Sequence, residues 1–131
     1  MKKFSVFALA LFVLILLPVW ASAGTVEGSI QGLTCVTTGK LCPAGKEDPM
    51  AAIEKVFVVL TAGNNYYFVP NVDRAVLARH INQQVRVTGN VSSKYPAVNA
   101  VKIDVFEGGA WKTTWSWSIQ ADLEKNLMSV E

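Results

Sequence analysis

Cys35 and Cys42 bracket the stretch CVTTGKLC, with six residues between them. A pair of thiols can exchange electrons or close a disulfide, and spacing separates the two uses: redox exchangers favour C-x-x-C, whereas C-x6-C closes a small loop. We expect a structural disulfide between Cys35 and Cys42, stabilising by about 2.5 kcal/mol through loop-closure entropy. His80 is the single histidine, so a two-histidine metal site or a paired-histidine mechanism is out of reach. It follows Arg79 late in a helical stretch, where a solvated imidazole facing the helix dipole is the expectation. The carboxylates Glu47, Asp48 and Glu54 stand beside Lys46 and Lys55, a pattern that reads as a solvated helix start and not as a metal site. C-x-x-C-H, phosphate-loop, nucleophile-elbow and EF-hand spacings do not occur. The expectation is a chain that is not an enzyme and takes no metal or cofactor.

Recognition chemistry is better represented. Arg86, Lys94 and Lys102 fall on the expected outer faces of two successive strands, the fourth and fifth, close to Tyr95. Cations beside stacking aromatics are the device by which small barrels hold polar polymers. In YYF, alternation sends Tyr66 and Phe68 inward and Tyr67 outward. The candidate ligand set is therefore Tyr67, Arg86, Lys94 and Tyr95, for an oligosaccharide, a peptide or a small anion.

WKTTWSW holds three of the four tryptophans. In a regular strand Trp111, Trp115 and Trp117 share one face with Thr113. Three bare indoles would show about 450 to 750 Å², against a largest apolar patch of about 300 to 600 Å² on an ordinary monomer. Trp111, Trp115 and Trp117 are thus expected to pack against the C-terminal tail, a protein partner or a second copy of the chain. The tail's stripe of Ile119, Leu123 and Leu127 is too short to hold a helix alone, so docking would serve both.

The elements that must position these residues begin after a segment of another kind. Lys2 and Lys3, the apolar run Phe4 to Leu17, and Ala21-Ser22-Ala23 form a secretory signal pattern. Residues 1–23 are expected to be removed, leaving one domain over 24–131 in the periplasm or outside the cell, with no membrane span. Lys2 and Lys3 are the whole excess of twelve basic over ten acidic residues, so the remaining domain is formally neutral. Neutrality and export make nucleic acid an unexpected partner.

From Thr25 the pattern reads as a long curved strand to Val36, interrupted by Gly28 and Gly32. Asp48-Pro49 marks a short helix start. The runs VFVVL and YYFV flank Gly63-Asn64-Asn65 as a hairpin, and a helix follows through VDRAVLARHI, capped at Asn71 and stopped at Asn82. QVRVTGNV alternates strictly, and Val101, Ile103 and Val105 alternate after a loop containing Tyr95-Pro96. Gly108-Gly109 turns into the tryptophan strand, and residues 118–131 form a short helical tail. Through TVEGSIQG and VRVTGNV the chain resembles small exported bacterial OB-fold proteins over roughly Thr25 to Phe106. The resemblance implies a mostly β fold, an OB-like five-stranded barrel with one helix between strands 3 and 4. An extra C-terminal strand and a short helix are appended, and the barrel's typical work is binding.

Overall fold

The computed structural model describes residues 23–129, so the expected signal segment lies outside the described residues up to Ser22. The chain runs through β1 (Gly24–Gly32), α1 (Leu33–Thr37), α2 (Glu47–Ile53), β2 (Phe57–Leu60), β3 (Tyr66–Phe68) and α3 (Arg74–Ala78). It continues through β4 (Gln84–Val91), β5 (Val98–Glu107), β6 (Ala110–Ser116) and α4 (Trp117–Met128). The six strands form one antiparallel sheet in the order β3-β2-β1-β4-β5-β6.

β1 owes its curvature to two partners. Gly24 to Ser29 pair with β4, and Ser29 to Gly32 pair with β2. At the changeover a Cβ on Gly28 would strike the carbonyl of Leu60, and one on Gly32 would lie 2.6 Å from Glu54 Oε2. Both glycines therefore mark close approaches, as their places in the sequence suggest. The strand stops at Gly32, short of the expected Val36. Thr34 N–H donates to Glu54 Oε2 at 3.0 Å and Leu33 N–H to the Val56 carbonyl at 2.9 Å, and these contacts draw the chain into one turn of helix.

The core lies on one face of the sheet. Ile30, Val59, Val85, Val87, Ile103, Val105 and Trp115 meet there, and Leu77 and Ile81 close it from the segment between β3 and β4. Burying each such aliphatic chain stabilises by roughly 1.5 to 3 kcal/mol. The cap of α3 is Asp73, whose carboxylate accepts from Ala75 N–H at 2.7 Å. Asn71, the expected cap, instead pairs with both backbone groups of Ala100, at 2.7 and 2.8 Å, and ties the helix approach to β5. Asn82 ends the segment in the left-handed region with φ 65°. α2 begins at Glu47, ahead of the expected Asp48.

The expected closed barrel is reduced to a single link. β3 is three residues long and stops before Pro70, and one parallel bridge, Phe68 to Ala97, joins it to the chain entering β5. Phe68 N–H donates there to the Pro96 carbonyl at 2.8 Å. Pro96 has no N–H to return, so a ladder cannot extend from that point. The observed architecture is mostly β, one unclosed sheet with four helices among the described residues.

The β5–β6 ladder breaks up the tryptophan row. Asp104 pairs with Thr113 and Ile103 with Trp115, so Thr114 has no partner and the alternation slips by one residue. Trp115 turns to the core and is 6% exposed. Trp111 stays on the opposite face beside its partner Phe106, ring centroids 5.3 Å apart. Trp117 has left the strand as the first residue of α4 and is 57% exposed. One extra residue, invisible to a period-two reading, puts the three indoles in three environments.

Candidate functional site

Two loops at one end of the sheet make the principal cleft. In the first, Thr61 N–H donates to the Asn65 carbonyl at 2.8 Å, and Asn64 takes φ 60° to close the turn between β2 and β3. Asparagine tolerates that conformation better than most residues. In the second, the Ser92 hydroxyl accepts from the N–H groups of Lys94 and Tyr95, both at 3.2 Å, and fixes the turn that presents those two side chains. Between the loops lies an open cleft of about 470 Å³. Tyr67, Lys94 and Tyr95 line it, joined by Asn64, Asn65, Tyr66, Val91, Ser92, Ser93 and Pro96.

Tyr67 reaches the cleft from the side opposite to the expected one. Its cross-strand partner is Val59, a core residue, and the half-buried Tyr67 packs against that core, while Tyr66 and Phe68 share the other face with rings 5.8 Å apart. Register against β2 decides the face, and alternation within three residues does not carry that information. Tyr95 is 69% exposed. Lys94 is exposed and, among the described residues, outside every ion pair. The cleft thus combines phenol rings, two carboxamides, serine hydroxyls and one free ammonium.

Arg86 is not brought to this cleft. It lies mid-strand on the outer face of β4, its guanidinium carbon 4.1 Å from the centre of the Trp111 ring. Arg86 Nε is 3.8 Å from Glu27 Oε1 and 4.0 Å from Asp104 Oδ2, beyond hydrogen-bond reach, and that buried nitrogen has no hydrogen-bond partner. Asp104 is the hub of the face: it accepts from Thr113 Oγ1 at 2.6 Å and pairs with Lys102 Nζ at 3.1 Å. Burial opposes the Asp104 charge, but the hydrogen bonds from Thr113 and Lys102 and the charges of Lys102 and Arg86 outweigh it. Its pKa is held below the ordinary carboxylate value.

Cys35 lies in α1, directly after β1, and Cys42 in the loop before α2, where it joins the core. Their sulfurs are 3.1 Å apart as free thiols, so the expected disulfide is not formed in this structure. Cys42 Sγ accepts from Gly32 N–H at 3.1 Å, and Cys42 N–H donates to Gln31 Oε1 at 2.6 Å. Burial, followed by the hydrogen bond with Cys42, pushes the Cys35 thiol up to about 11. A second cleft of about 440 Å³ lies alongside their loop, lined by Val36, Gly39, Lys40, Leu41, Leu60 and Asn64.

Three further titratable side chains, Glu54, Glu47 and His80, have partners within the fold. Glu54 is buried and caps the turn into β2, with Lys55 N–H donating to it at 3.0 Å. Glu47 accepts from Asn82 Nδ2 at 3.0 Å, which lowers its pKa. His80 Nδ1 lies 2.7 Å from Gln83 Oε1. Among the described residues no group of three or more His, Cys, Asp or Glu is placed to hold a metal ion, and no helix is long and apolar enough to cross a membrane.

Comparison with protein-family models, curated proteins and solved structures gives no match. Asn64, Asn65, Ser92 and Ser93 were missed as site residues by sequence reasoning. Their only signal was turn composition in GNN and SSKYP, and such composition marks loops, the usual carriers of binding groups, without naming a ligand.

Proposed function

We propose that this chain is an exported, non-enzymatic binding module of OB type whose ligand lies across the Tyr67, Lys94 and Tyr95 cleft. The observation that carries the reading is the convergence of those three side chains with two asparagines and two serines in one open cleft. A cleft of this size with apolar rings and a few polar groups is the form ligand sites take. The OB-type reading draws support from the helix between β3 and β4, the two-partner curvature of β1, and the bridge from Phe68 to Ala97. Oligosaccharides, peptides and small anions fit the lining. The test is a panel of glycans, peptides and small anions against the wild type and a Tyr67→Ala, Lys94→Ala, Tyr95→Ala variant. Binding lost in the variant supports the reading, and equal binding by both proteins sinks it.

Export also bears on the thiols. With sulfurs 3.1 Å apart, a small side-chain movement closes the Cys35–Cys42 bond in an oxidising compartment. Mass measurement after alkylation, with and without reductant, reads the result; two free thiols in protein taken from the periplasm or medium would refute the bond.

A second reading, an accessory subunit that packs on a partner or a second copy, is favoured by α4. Trp117, Ile119, Leu123 and Leu127 are between 49% and 76% exposed along one short helix. Oligomeric state for wild type and Leu123→Asp discriminates: a dimer that the variant splits favours this reading, and a monomer in both cases leaves a protein partner as its only form.

A further inference from the structure

The two clefts are neighbours, because Asn64 lines both. Asn64, in the β2–β3 turn, stands between Tyr95 and Lys94 on one side and Lys40 and Leu41, on the loop between the cysteines, on the other. The charge of the two clefts is one-sided. Lys94 lines the first cleft and Lys40 the second, no carboxylate lines either, and among the described residues neither lysine is in an ion pair. On the sheet Arg86, Lys102 and Lys112 are each matched with an acidic neighbour. Lys55 is likewise outside every ion pair among the described residues, but it lines a separate cleft of about 280 Å³ that shares no lining residue with the other two. Unmatched cations facing open space in a formally neutral domain leave their charge for a ligand.

We infer that the ligand is a linear acidic oligosaccharide that spans both clefts, with one of its carboxylate groups meeting Lys94 and another meeting Lys40. The inference rests on the cleft reading above and adds ligand class, length and the Lys40 end. A pyranose ring has an apolar face for Tyr67 or Tyr95, and hydroxyls for Asn64, Asn65 and Ser93. A uronic acid adds the carboxylate that an ammonium takes as a charge-assisted partner. The second cleft offers Leu41, Leu60 and Val36 beside Lys40, a place for a further ring and not for a single ion. Nucleic acid fits less well, because tight binding of phosphates draws on several clustered cations, and the two clefts together carry two.

The experiment is calorimetric titration of the purified protein with tetragalacturonate, its neutral methyl ester, the galacturonic acid monomer, and an oligodeoxythymidylate of equal charge. We expect the tetramer to bind at least about tenfold more tightly than the ester, the monomer or the oligonucleotide. Lys40→Ala and Lys94→Ala should each weaken the tetramer about fivefold, with folding unchanged by circular dichroism. Equal binding of acid and ester, tighter binding of the oligonucleotide, or a Lys40→Ala protein of wild-type affinity overturns the inference. The Tyr95→Ala variant separates the two claims. If one of those outcomes is seen and Tyr95→Ala weakens the probe that does bind, the cleft reading stands without its acidic polymer. If it changes nothing, or no probe binds, the inference falls, and Tyr95 insensitivity removes the cleft with it.

Discussion

On the outer face of β4 and β5, Arg86 lies between two carboxylates and over an indole, while Lys94, in the loop that follows β4, stands in an open cleft without a charged neighbour. In the sequence the two cations look alike, outward residues beside aromatics on neighbouring strands. Their difference comes from what pairs across the sheet. The β4–β5 register sets Arg86 opposite Asp104, and the β1–β4 register sets it opposite Glu27. Lys94 falls where the ladder has ended. A cation inside a ladder is answered by its cross-strand neighbours and serves the fold, whereas Lys94, beyond the ladder, has no ion-pair partner among the described residues.

The largest effect that sharpens this contrast belongs to the tryptophans behind the outer face. Trp115→Ala removes a buried indole and its hydrogen bond from Nε1 to Gln120 Oε1, 2.9 Å long. It should cost about 3 to 4 kcal/mol in urea unfolding. Trp117→Ala, at an exposed helix start, should leave the unfolding midpoint within about 0.5 kcal/mol of wild type. Similar losses from both would mean that the slip at Thr114 is absent and that the indoles share one environment after all.

The next effect strikes the hub of the paired face. Asp104→Asn should destabilise by about 2 kcal/mol at pH 7, since Lys102 and Arg86 lose the charge they face. The sign with pH follows from the lowered pKa of Asp104. A carboxylate whose folded pKa is below its unfolded value near 3.9 contributes stability that is complete above about pH 4 and is lost as pH falls through the folded value. The gap in urea midpoint between wild type and variant should therefore be smaller at pH 3 than at pH 7. A gap that stays constant would assign the loss to hydrogen-bond geometry and not to charge.

Trp111→Ala comes third. It removes a half-buried ring that carries the Arg86 guanidinium on its face and Phe106 at its edge, and should cost about 1 kcal/mol. The outer face would survive, because the Asp104 contacts with Lys102 and Thr113 do not pass through the indole. If this variant loses as much as Asp104→Asn, the indole and not the carboxylate organises the face.

Much of the fold could be read from residue patterns: QVRVTGNV as a strand, the Gly63-Asn64-Asn65 hairpin, the helix before Asn82, and glycines at the bend of β1. What could not be read depends on single-residue registers. The unpaired Thr114 separates Trp111 from Trp115, and the Val59–Tyr67 pair turns Tyr67 toward the core. The first helical turn was hidden because its cap is Glu54, twenty residues further along the chain from Thr34. Of the candidate ligand set, Tyr67, Lys94 and Tyr95 meet in one cleft, and Arg86 is withheld by partners that only the ladder reveals.

The smallest effect on stability tests the other half of the contrast. Lys94→Ala deletes an exposed ammonium with no ion pair among the described residues, and the loop that presents it is held by backbone N–H groups donating to Ser92 Oγ, which the substitution keeps. The melting temperature should stay within about 2 °C of wild type. Arg86→Ala is the counterpart: it exposes a cavity beside Trp111 and leaves Glu27 and Asp104 facing one another across β4 without the guanidinium, and the melt should move by several times as much. Ligand affinity should respond in the reverse order, falling for Lys94→Ala and holding for Arg86→Ala. A melt that moves equally for both would place Lys94 in the fold's own charge pairing, and the cleft would then lose its one free cation.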